Sequence, residues 1–339
     1  MESRSGNAAD DLAARLAAYL ARQMGADSVG VGRLERLPGG ASRESWAFDA
    51  TPSGGETVRL VLRRDPPGHV VNASRRDEFA LLHAAAGAGV PVPRVHWCED
   101  GATVLGAPFF VMDFVAGETL ARPLLRDDAY APARAALPGQ LAGVLARIHA
   151  IAPAGLPFLP APAPGETPAA AELGRWEQIY RAITPDPHPA LELAFRWLGP
   201  RAPAPGRLAV VHGDFRIGNV IFGPEGLRAV LDWELAHLGD PLEDLGWLCV
   251  RSWRFGAAPP VGGLSAREPF FAAYEAAGGE PVDRAAVRWW EVLGNLKWAV
   301  VCIMQAKTFL DGHVRSVELA SLGRRVAEME LELLELTES

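Results

Sequence analysis

Val210-Val211-His212-Gly213-Asp214-Phe215-Arg216-Ile217-Gly218-Asn219-Val220-Ile221-Phe222, followed by Ala229-Val230-Leu231-Asp232-Trp233-Glu234, decides the fold. Short apolar runs flank a polar loop, so the segment reads as strand, loop, strand, turn, strand. Asp214 and Asn219 are five apart in the loop, and Asp232 ends the next apolar run. Magnesium takes hard oxygen ligands and keeps several waters, so one amide oxygen and one carboxylate suit it. A second carboxylate, free of metal, can position an attacking hydroxyl.

The order H-x-D-x-x-x-x-N and then an aspartate after an apolar strand resembles the catalytic and metal loops of the protein-kinase-like superfamily. Together with Gly239-Asp240-Pro241-Leu242-Glu243-Asp244-Leu245-Gly246 it is similar to the aminoglycoside phosphotransferase and choline kinase family. Within that family it resembles most the kinase domains associated with acyl-CoA dehydrogenases, over roughly residues 30–310. The resemblance implies a two-lobed α+β fold. A small antiparallel-sheet lobe with a leading helix would span 1–115, and a larger helical lobe 116–339. It implies Asp214 as the catalytic carboxylate and Asn219 with Asp232 as ligands of Mg²⁺ bound to ATP. No glycine of a DFG motif follows Asp232, which fits a small-molecule kinase rather than a switchable protein kinase.

Upstream elements stand in the order this family needs. Pro38-Gly39-Gly40-Ala41-Ser42 lies between two β-like runs. Gly39 and Gly40 let backbone N–H groups approach phosphate, and Ser42 adds a hydroxyl donor. The same residues also suit a plain hairpin. Leu60-Val61-Leu62-Arg63 resembles the strand that carries the phosphate-binding lysine, with arginine in its place. Val61 and Arg63 share one strand face while Leu60 and Leu62 pack behind. Arg64 is the competing cation. Glu78, on the next helix, matches the glutamate that pairs with the strand cation, with Asp77 its competitor. Phe109 to Val115 resembles the hinge; Met112 would back the adenine, and the Asp113 carbonyl and Val115 N–H would meet its edge.

Composition narrows the classes. The chain has 339 residues, 49% of them hydrophobic, enough for substantial cores. A net charge of −8 and a pI near 5.6 do not suggest a nucleic-acid partner. No long uncharged apolar run predicts a membrane span. Cys98, Cys249 and Cys302 form neither a zinc pattern nor a disulfide framework, consistent with a cytoplasmic location. Only Lys297 and Lys307 are lysine among 33 basic residues, so no lysine-bearing P-loop exists upstream.

Helical spacing predicts a leading helix over 8–24, helices over Arg75–Ala86 and Leu137–Ala150, a helical region over 171–198, and three or four helices after 240. Asp240, Glu243 and Asp244 are expected to brace the catalytic loop, and His212 to prop it. Six of the ten tryptophans, from Trp233 to Trp298, fall in the last third and can wall an acceptor cleft. Residues 251–339 carry twelve acidic and ten basic side chains, not the acidic excess a polycationic drug needs. Arg251, Arg254, Arg288 and Lys297 can greet an anionic group. The expected acceptor is a small hydroxylated molecule such as a hydroxyacyl-CoA or hydroxy acid. An aminoglycoside-type kinase and a regulatory nucleotide-binding pseudokinase are the alternatives.

Overall fold

The computed structural model describes residues 2–37, 44–65, 74–184, 187–314 and 316–338. It divides into two units: 1–117 with 228–234, and 118–227 with 235–339.

The first unit begins with helix α1 (Glu2–Met24), followed by β1 (Val29–Arg36), β2 (Glu44–Pro52), β3 (Val58–Arg64), α2 (Arg75–Gly87), β4 (Val95–Glu99) and β5 (Phe109–Asp113). The strands form one antiparallel sheet in the order β1-β2-β3-β5-β4. Strand alternation gives it two faces. Leu60, Leu62, Phe109 and Val111 point to one, where they bury against Leu12, Leu16, Tyr19 and Leu20 of α1. Tyr19 meets Phe109 edge-on at 5.1 Å. Arg63, Phe110 and Met112 are the intervening residues. They share the other face with α2, where Phe79 packs edge-on to Phe110. Ser74 caps α2 by accepting from the Asp77 N–H at 3.0 Å. Residues 228–234 join this unit through the Val230 N–H, which donates to the Pro91 carbonyl at 2.7 Å.

The second unit holds α3 (Ala121–Arg126), α4 (Ala131–His149), α5 (Pro168–Ile183), α6 (Pro189–Leu198), β6 (Ala209–Val211) and β7 (Val220–Gly223). Strand β8 (Gly226–Val230) leads out of it. It resumes with β9 (His237–Gly239), α7 (Leu242–Cys249), α8 (Arg267–Ala276), α9 (Arg284–Leu310), α10 (Val317–Leu322) and α11 (Val326–Glu338). Strands β6 and β9 pair antiparallel and frame the loop that follows β6. The helical stretch expected over 171–198 is divided into two helices, because Thr184 closes α5 and Pro189 opens α6. The long α9 is capped by Asp283 and is the floor on which α7 lies. No helix among the described residues is long and apolar enough to cross a membrane.

Candidate active site

The loop after β6 is held from below. Phe215 and Ile217 anchor it in the core, 1% and 0% exposed. Asp244, fully buried on α7, accepts the His212 N–H at 2.8 Å and the Gly213 N–H at 2.9 Å, one on each carboxylate oxygen. His149 donates to it at 3.1 Å and meets the Tyr274 hydroxyl with its other nitrogen. Burial works against a charge on Asp244, but these donors outweigh it and hold its pKa below the usual carboxylate range. Gly213 has φ +78°, and a Cβ there would lie 2.4 Å from the Leu235 carbonyl oxygen, so only glycine fits. Buried His212 accepts the Asp214 N–H at Nδ1 (3.2 Å) and so props the loop.

This scaffold presents Asp214. Its Oδ1 accepts from Trp247 Nε1 at 2.8 Å and Arg216 Nε at 3.0 Å, and its Oδ2 accepts from Asn219 Nδ2 at 2.6 Å. Asn219 also donates to the Asp214 carbonyl at 2.9 Å. The amide nitrogen of Asn219 is therefore spent on Asp214, which leaves the opposite, oxygen end of the amide for a hard cation. Arg216 stacks over Trp253 at 4.5 Å; Trp253 in turn packs on Trp247 and Trp298.

A chain of buried charges underlies the loop. Lys297 donates to the Gly213 carbonyl at 2.9 Å, lies 3.7 Å from Glu243 and sits over the Trp247 ring at 4.5 Å. Glu243 accepts from His237 at 3.1 Å. Burial opposes the charge on His237, yet Glu243 and then Glu172 outweigh it and raise its pKa to about 9. Asp240 accepts the Leu242 N–H and the Trp290 indole, and burial pushes its pKa up. Asp244 thus braces the loop directly and Glu243 through Lys297, whereas Asp240 holds the start of α7 and Trp290 instead.

Lys297, expected to greet an anion, is instead buried as part of that brace. Arg251 pairs with Glu332, Arg254 with Glu291, and Arg288 donates to the Leu336 carbonyl, so these cations hold helices together. Spacing alone could not show their distant partners.

In the first unit Arg63, Glu78, Leu82, Pro93, Met112, Val230, Leu231, Asp232 and Trp233 line one small pocket. Arg63 Nη2 lies 3.3 Å from Glu78 Oε1. Glu78 Oε2 accepts from Arg75 at 2.6 Å, a second arginine that sequence reading missed. Its signal was the i, i+3 spacing of Arg75 and Glu78. Arg64 turns to the other face, bound to Glu44 at 2.7 Å and the Leu105 carbonyl. Glu78 is buried and Asp77 only half-buried. Of the two cations it is Arg63 that meets the helix glutamate. Asp232 has φ +62°, a conformation that aspartate tolerates better than most side chains.

At the end of β5 the Asp113 N–H donates to the Arg94 carbonyl and the Phe114 N–H to the Arg59 carbonyl. The Asp113 carboxylate is tied to His96 at 2.6 Å. Met112 is 7% exposed and lines the pocket, while Val115 is half-buried. Gly39, Gly40 and Ser42 lie outside the described residues.

The profile of the Phosphotransferase enzyme family matches residues 33–290. Acyl-CoA dehydrogenase family member 10 of Mus musculus is 32% identical over 252 residues, 73% of this chain and 23% of that protein. Family member 11 of the same species is 31% identical over 244 residues, 69% of this chain and 30% of its own length. The chain therefore spans less than a third of these relatives. Among solved structures, a candidate aminoglycoside phosphotransferase of Ralstonia eutropha JMP134 superposes with a TM-score of 0.72 at 24% identity, covering 91% of this chain and 93% of that one. A thermostable mutant of aminoglycoside phosphotransferase APH(4)-Ia, with ADP and hygromycin B, gives 0.58 at 17% identity, covering 94% and 97%. They share the two-lobed α+β kinase-like fold expected from sequence. The profile match covers well over half of the chain, which belongs to that family.

Proposed function

We propose that this member of the Phosphotransferase enzyme family moves the γ-phosphate of ATP to a hydroxyl of a small molecule, with Asp214 as the catalytic carboxylate. The acceptor oxygen bonds to the γ-phosphorus, the bond from that phosphorus to the bridging oxygen of ADP breaks, and the acceptor proton passes to Asp214. The transition state is loose, so the protein's work is positioning and charge compensation.

The observation that carries this reading is the Asp214 carboxylate, fixed by donors on both oxygens, with Asn219 turned amide-nitrogen-first toward it. Asn219 and Asp232 are hard oxygen donors and suit Mg²⁺, which when bound would offset phosphate charge. Arg63, oriented by Glu78, is assigned the phosphates, together with Gly39, Gly40 and Ser42. Met112, the Asp113 carbonyl and the Val115 N–H are assigned the adenine; the neighbouring amides of residues 113 and 114 are already spent on the sheet. An intact set of Asp214, Asn219 and Asp232 argues for an enzyme over a pseudokinase.

For the acceptor we favour a hydroxyacyl-CoA or hydroxy acid over an aminoglycoside. Residues 251–339 show no marked acidic excess, and the relatives' names connect the domain to acyl-CoA dehydrogenases. The test is ATP consumption by purified protein against hydroxyacyl-CoAs, hydroxy acids, sugars, amino alcohols and aminoglycosides. Asp214→Ala should abolish transfer and keep ATP binding, whereas Asp232→Ala should weaken Mg·ATP binding as well. Transfer that survives in Asp214→Ala refutes the assignment.

A further inference from the structure

The two donors on Asp214 Oδ1 differ in kind. Arg216 reaches it from a side chain that is 24% exposed. Trp247 reaches it from an indole that is 4% exposed and gripped on several sides. Trp253 packs on the ring at 5.2 Å, and the Lys297 ammonium lies 4.5 Å above it while bound to the loop's own Gly213 carbonyl. Two glycines bring α7 down onto α9. A Cβ at Gly246 would lie 2.4 Å from Trp290 Cβ and 2.8 Å from the Glu291 nitrogen; a Cβ at Gly294 would lie 3.2 Å from the Trp247 ring. Helix packing this close sets the height of the indole over the loop. A buried indole N–H has one proton to give, and here its acceptor is the carboxylate.

We propose that Trp247 is a positioning residue for phosphoryl transfer. Its N–H locks the Asp214 rotamer and occupies one lone pair of Oδ1, so that the remaining lone pairs meet the acceptor hydroxyl in a fixed direction. Arg216, the solvent-facing donor, is the one that yields when substrate arrives. This rests on Asp214 being the catalytic carboxylate.

The experiment uses water as the acceptor and follows ADP formation from Mg·ATP. Three variants of the full chain are compared: Asp214→Ala, Trp247→Phe, and the chain with benzothienylalanine at 247, which keeps the bicyclic ring and replaces N–H by sulfur. Both changes at 247 should lower kcat roughly 10- to 100-fold, as small misplacements of reacting groups do, with KM for Mg·ATP changed less than about twofold. If only Trp247→Phe is slow and the sulfur isostere turns over normally, ring packing is what matters and the proposal is overturned. A rise in KM at constant kcat overturns it equally. Should Trp247→Phe not fold, the isostere decides alone. If Asp214→Ala forms ADP at the unaltered rate, the catalytic assignment itself falls, a result separable from failure at Trp247.

Discussion

Replacing Asp244 by asparagine should unseat the catalytic loop without touching any residue that faces substrate. Asp244 has one oxygen on the Gly213 N–H and the other shared between the His212 N–H and His149. Asparagine keeps one oxygen and presents an NH₂ where the other was. In either orientation at least one buried backbone N–H then faces a donor. Leaving such a group unsatisfied costs roughly 1–3 kcal/mol, and each remaining bond loses its charge assistance, about 1 kcal/mol apiece. The total is roughly 3–5 kcal/mol. For a unit of about two hundred residues this is about 6–20 °C in melting temperature. Calorimetry at pH 7.5 measures it, with ADP formation followed at a temperature where both proteins are folded. A melting temperature within about 2 °C of the unaltered protein, at full turnover, would mean that Asp244 does not brace the loop. Acid gives a second view of the same residue. Its folded pKa is depressed, so its stabilisation is present above the unfolded carboxylate pKa and is lost as pH falls through the lower folded value.

Other outcomes follow from the same geometry. Gly213→Ala puts a side chain at φ +78° and against the Leu235 carbonyl. The left-handed backbone alone costs roughly 1–2 kcal/mol, so a melting point within about 1 °C of the parent refutes the fit. The His237 pKa is raised to about 9, so its contribution is full below its unfolded value and is lost as pH rises through about 9. Thermal stability should therefore decline between about pH 6.5 and 9.5, and His237→Gln should flatten that decline. Arg63→Ala should raise KM for ATP roughly tenfold. It should cost little stability, because Glu78 keeps Arg75 as a partner; an unchanged KM removes Arg63 from the phosphate site.

Strand periodicity carried the first unit well. The alternation Leu60-Val61-Leu62-Arg63 places the aliphatic pair against α1 and Arg63 opposite, and adjacent Arg64 must then face away. The spacing of Asp214 and Asn219 likewise put both in one short loop, and five residues of loop are enough for the structure to close a contact between them locally. What escaped was non-local. Lys297 is 84 positions from the carbonyl it holds, and a lysine in a helix reads as a solvated cation until its burial is known. Trp247 looked like one tryptophan among many. Its position three after Asp244 on one helix face was the available clue, but only the depth of the α7–α9 contact turns that face toward the loop.

The profile match stops short of three packed helices. Helix α1 lies before residue 33, and α10 and α11 lie after residue 290. A version trimmed to the matched span would strip Leu12, Leu16, Tyr19 and Leu20 from the back of the sheet and bare Phe109 and Val111 to water. At roughly 1.5–3 kcal/mol for each large apolar side chain withdrawn, that loss rivals the whole stability of an ordinary domain. Recombinant work on this protein should therefore keep both ends, since a minimal fragment would aggregate and be mistaken for an inactive enzyme.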